Sequence, residues 1–112
     1  MGRNRKFRGG IYMRIFISGQ VSNKKSLKKF DDAKEYMSHV QTYDHDEIVS
    51  AKDLFEDYLN VSTTLRVSKE LEELANCDAI YMLTNWDCDN IARLEHDYAS
   101  LMNYRIIYSK KY

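Results

Sequence analysis

Asp89 and Glu95 stand six residues apart where a polar, aromatic loop gives way to a helical pattern. The loop carries Asn85, Trp86 and Asp87 just before them. Ile91, Leu94, Tyr98 and Leu101 or Met102 mark an apolar stripe on that helix, and Glu95 falls beside it, so a partly buried carboxylate is expected. Close to a helix N-terminus, the macrodipole favours the carboxylate anion. Such an anion suits a nucleophile or an electrostatic stabiliser in chemistry that passes through a cationic sugar. A salt bridge to Arg93 or a solvated helix face would account for Glu95 equally simply. Asp89 can cap the helix by accepting an N–H bond from Ala92 or its neighbour. Trp86, the one tryptophan, can stack on a planar ring of a ligand or pack at the edge of the core.

Two further loops offer candidates. Ser18-Gly19-Gln20 ends an apolar run, and Gly19 lets the backbone there come close to a ligand. Asp44-His45-Asp46 follows a short apolar stretch. If the strands are parallel and both loops follow strands, they gather with Asn85, Trp86 and Asp89 on one edge of the sheet, where open α/β folds bind ligands.

The elements that must position these groups follow from periodicity. Met13–Ser18 reads as a strand, Lys24–His39 as a helix with Ser22 or Asn23 as cap, and Val40–Tyr43 as a second, weaker strand. Ser50 with Asp53 forms a weak capping box before a helical face of Leu54, Phe55, Tyr58 and Leu59. A helix over Leu65–Asn76 turns Val67, Leu71 and Leu74 inward; the strand Ala79–Leu83, a helix over Ile91–Met102 and the strand Arg105–Tyr108 complete the order β-α-β-α-α-β-α-β. At least one helix separates successive strands, which implies parallel pairing through right-handed crossovers. The central strands are apolar throughout, as a sheet covered on both faces requires.

Composition narrows the function classes. The first eight residues hold Arg3, Arg5, Lys6 and Arg8 and no acidic side chain, so the remainder carries 13 basic against 17 acidic groups. A negative body argues against specific nucleic-acid binding. Residues 1–12 read as a flexible basic arm, with Met13 as the start of a domain over 13–112. No apolar run reaches the ~18 residues of a membrane span, and no signal-peptide pattern is visible, so a cytoplasmic location is expected. Cys77 and Cys88 flank a strand and read as reduced thiols. Neither phosphate-cradling glycine motif occurs among four glycines, zinc-site spacing is absent, and no cofactor or metal is expected.

Several of these segments together resemble the nucleoside 2-deoxyribosyltransferase-like superfamily, in its small uncharacterised phage and bacterial branch. The segments are Met13-Arg-Ile-Phe-Ile-Ser-Gly19, Leu71-Glu-Glu-Leu-Ala-Asn-Cys-Asp78-Ala-Ile-Tyr-Met-Leu83, Asn85-Trp86, Asp89-Asn-Ile-Ala92-Arg-Leu-Glu95-His-Asp-Tyr-Ala99 and Arg105-Ile-Ile-Tyr108. The resemblance implies a Rossmann-like (flavodoxin-like) three-layer α/β sandwich with a parallel four-stranded sheet in the order 2-1-3-4. It implies that Glu95 attacks the anomeric carbon of a nucleoside or nucleotide, that Asp89 orients the sugar or base, and that Ser18 and Gly19 form a wall of the pocket. Asn85, Trp86 and Asp44 would contribute to substrate binding, and a homo-oligomer is implied. Gln20 stands where the family commonly has proline. Ile91 stands where it commonly has glycine, which narrows the approach to the helix N-terminus. The family's asparagine-proline pair is replaced in the region of Thr42-Tyr43-Asp44.

Overall fold

A computed structural model describes residues 13–112; the basic arm expected over 1–12 lies outside the described residues. Strand β1 (Arg14–Ser18) is buried from Ile15 to Ser18 and lies at the centre of the molecule. Helix α1 (Lys24–Ser38) follows, started by Asn23 in a reciprocal box: Asn23 Oδ1 accepts from the Ser26 N–H, and Ser26 Oγ accepts from the Asn23 N–H. Phe30, Ala33 and Met37 face inward at helical spacing. Strand β2 spans Glu47–Ser50, α2 Thr63–Ala75, β3 Ala79–Met82, α3 Asn90–Leu101 and β4 Arg105–Tyr108.

All pairings are parallel and the order is β2-β1-β3-β4, so the expected sheet is present. Ile17, Tyr81 and Ile107 are in register across β1, β3 and β4, as are Ser18 and Met82 one residue on, with Tyr108 beyond. Because side chains alternate along a strand, these two sets face opposite sides. The α3 helix packs on the Ser18 side, beside α2, and α1 packs on the other. The result is a three-layer Rossmann-like α/β sandwich.

Two expected elements differ. Val40–Tyr43 is not a strand: Gln41–Tyr43 forms a 3-10 turn, and the second strand begins only at Glu47. The helix expected around Leu54–Leu59 is instead two 3-10 turns, Ala51–Leu54 and Tyr58–Asn60. The Ser50–Asp53 capping box does form on the first of them. Among the described residues, no helix is long and apolar enough to cross a membrane. Cys77 is buried, Cys88 is exposed, and both are thiols.

Candidate active site

The carboxyl ends of β1 and β3 and the start of α3 bring Ser18, Asp89 and Glu95 into one neighbourhood. Ser18 Oγ donates a 2.5 Å hydrogen bond to Glu95 Oε1 with both side chains buried. Asp89 is the N-cap of α3: its Oδ1 accepts from the Ile91 and Ala92 N–H groups at 2.9 and 3.0 Å. Its other oxygen accepts from the Val21 N–H at 3.1 Å, tying the loop after β1 to the helix. The capping role read from the sequence is thus present, with a second tether added.

Glu95 is buried far more deeply than the apolar stripe suggests. It is 1% exposed, whereas Leu94 and Leu101 are 44% and 81% exposed. The inward face of α3 is Ala92, Glu95 and Ala99. Small side chains allow the helix to sit close to the sheet, and the large apolar residues are left outside. Burial also works against the expected charge state. Desolvation, then the neighbouring Glu70 carboxyl, push the Glu95 pKa well above the ordinary glutamate range; the Ser18 hydrogen bond opposes this and the Asp89 charge adds to it. Taking a charge out of water outweighs the modest pull of a helix dipole, so burial favours the protonated group where the helix position alone favours the anion.

Glu70 was not foreseen. It lies on the inward face of α2 and is 1% exposed. Tyr58 donates its hydroxyl to Glu70 Oε2, and Arg66 Nε stands 3.7 Å from the same oxygen. The Arg66 guanidinium lies 4.5 Å above the Tyr58 ring. Burial, then the Glu70 charge, raise the Tyr58 pKa, which keeps its hydroxyl a donor. The signal was present in the spacing: Glu70 lies three residues after Val67 and four before Leu74, on the stripe assigned to the core.

The other expected site residues have different settings. Asp44 is exposed and precedes β2, because the second strand starts later than the sequence suggests. Asp46 of the same loop accepts from the Met13 N–H just before β1, so this loop belongs to the amino edge of the sheet, opposite Ser18. Gly19 is buried, and a Cβ there would lie 2.7 Å from Leu83 Cβ. Its close approach is therefore to β3's following residue rather than to an open space. Asn85 is exposed at φ 64°, a left-handed conformation asparagine tolerates. Trp86 stacks on His96 at 4.1 Å and 19°, and His96 Nε2 lies 2.8 Å from the Tyr108 hydroxyl.

A groove of about 230 Å³ opens among Tyr36, Tyr43, Tyr81, Ile107 and Tyr112, but Tyr81 and Ile107 point to the α1 side of the sheet. This groove is therefore distinct from the Glu95 neighbourhood. Among the described residues, no group of three or more His, Cys, Asp or Glu side chains is placed to hold a metal.

No curated protein matches the sequence significantly. A solved structure described as a 2-deoxyribosyltransferase from the psychrotolerant bacterium Bacillus psychrosaccharolyticus shares the fold, with a TM-score of 0.61 and 16% identity over 85% of this chain and 70% of that one. The sequence pattern of a family described as a domain of unknown function, DUF4406, matches residues 13–108, and the chain belongs to that family.

Proposed function

We propose that this chain breaks or transfers the N-glycosidic bond of a nucleoside or nucleotide, with Glu95 as nucleophile. As a carboxylate, Glu95 would bond to the anomeric carbon while the electron pair of the carbon–nitrogen bond leaves with the base, which takes up a proton; water or a second base would then resolve the glycosyl ester and free the carboxylate. Ser18 would hold the carboxyl group in line, Asp89 would orient the sugar or base, and Gly19, Asn85 and Trp86 would border the substrate. The observation that carries this reading is the buried Ser18–Glu95 hydrogen bond at the carboxyl edge of the sheet. The fold shared with a deoxyribosyltransferase supports the choice of substrate class. The domain is taken as residues 13–112, acting in the cytoplasm as a homo-oligomer without a cofactor. Leu94, Leu101 and Met102 are the exposed apolar residues on and beside α3 that a second copy would cover. Sedimentation of the protein and of a Leu101→Asp variant tests that part.

The reaction itself is tested by incubating the protein with nucleosides and their monophosphates and following free base by chromatography. Release that disappears in Glu95→Gln is the expected result. No release from any base or sugar would sink the reading.

A second reading, a nucleotide-binding or accessory protein with a closed pocket, draws support from the burial of Glu95 and the three N–H groups already on Asp89. It predicts thermal stabilisation by a nucleotide without product.

A further inference from the structure

Glu70 and Glu95 approach each other from adjacent helices, α2 and α3, with both side chains 1% exposed and their carboxyl groups within hydrogen-bonding reach. Two buried carboxylates cannot both carry charge at such a separation without a large electrostatic cost. Their surroundings differ in a way that assigns the proton. Glu70 receives the Tyr58 hydroxyl and faces the Arg66 guanidinium at 3.7 Å, so its negative charge is served by a donor and a cation. Glu95 receives only the Ser18 hydroxyl, on Oε1. Its Oε2 is buried and, as a carboxylate oxygen, has no donor. A proton on Oε2 turns that orphan acceptor into a donor toward Glu70 and satisfies both groups.

Resting on the nucleophile reading of Glu95, we propose that Glu70 is a positioning residue: it accepts the proton carried by Glu95 Oε2 and fixes the orientation of the Glu95 carboxyl group. The groups facing the pair are Ser18 from β1, Tyr58 from the 3-10 turn before α2, Arg66 from α2 itself and Asp89 at the start of α3. The Ser18 hydroxyl favours ionised Glu95; the Glu70 and Asp89 charges oppose it. Tyr58 and Arg66 act on Glu95 through Glu70, by keeping the negative charge there.

The test is a pH titration of side-chain carboxyl carbons by NMR in protein labelled at glutamate, beside the pH profile of base release. In the wild-type protein, the Glu95 carbon should titrate above the ordinary glutamate range. In Glu70→Gln, the Glu95 step should move down by about one pH unit or more, and the acid limb of base release should move with it. An unmoved Glu95 step in Glu70→Gln overturns the proposal. Should that variant fail to fold, a wild-type Glu95 carbon that titrates at or below the ordinary glutamate range overturns it. If the Glu95 carbon titrates and shifts as expected but no base is ever released, the positioning role of Glu70 stands and the nucleophile reading falls.

Discussion

Ser18 Oγ and Glu95 Oε1 are joined at 2.5 Å across 77 positions of sequence, linking the end of the first strand to the middle of the last helix. Removing the hydroxyl in Ser18→Ala leaves a buried carboxyl oxygen short of a donor, a loss of about 1–3 kcal/mol. The same bond holds the Glu95 pKa down against burial. Ser18→Ala should therefore shift the acid limb of base release to higher pH, opposite to the shift expected for Glu70→Gln. Urea unfolding and a pH–rate profile of the variant check both effects.

Glu95→Gln keeps the volume and an amide donor for Glu70 while removing the nucleophile. It should fold, and base release should fall by about a thousandfold or more. Far-ultraviolet circular dichroism beside the chromatographic assay separates lost chemistry from lost structure.

The raised Glu95 pKa also makes stability depend on pH. The folded chain binds this proton more tightly than the unfolded chain. The contribution is therefore full at and below the ordinary glutamate range and is lost as pH rises through the raised folded value. The slope in that window is at most about 1.4 kcal/mol per pH unit. Urea midpoints measured from acid to mildly alkaline pH should fall for the wild type and stay flatter for Glu95→Gln. If Glu95 is the nucleophile, activity rises over the same window in which stability declines.

The strands β1 and β3 were legible because Ile15–Ile17 and Ala79–Met82 are unbroken apolar runs buried on both faces. Strand β2 was misplaced because it is an edge strand, opens on an exposed Glu47 and leaves Ile48 and Val49 half-buried, so its apolar signal is weak. The shift matters for function, since it carries Asp44 from the carboxyl to the amino edge. The inward face of α3 was misread because large apolar residues were taken for the core, while close helix–sheet packing selected Ala92 and Ala99. Glu70 was missed for the converse reason: its type suggests a surface, and its helical spacing shows an interior position.

Gly19→Ala tests whether the glycine serves packing. The new Cβ would meet Leu83 Cβ at 2.7 Å and Leu83 Cδ1 at 2.8 Å. The first of these is fixed to the backbone, so a rotamer change does not relieve the clash. A loss of about 1–3 kcal/mol follows for overpacking, read as a lower urea midpoint. A neutral effect would return Gly19 to the role of bordering an open ligand space.

Asp89 can be divided into its structural and chemical parts by two substitutions. Asp89→Ala removes the cap of α3 and the bond to the Val21 N–H, so it should lose at least the ~1 kcal/mol typical of a helix cap. Asp89→Asn keeps one oxygen for the Ile91 and Ala92 N–H groups and should retain most of the stability. It cannot accept from Val21 through the amide nitrogen, so the loop after β1 is loosened while the helix start is kept. If Asp89 only caps, the asparagine variant releases base within a few-fold of the wild type. If Asp89 also orients the substrate, base release in that variant drops by about a hundredfold at near-native stability. The two outcomes are distinguished by measuring unfolding and turnover on the same preparation.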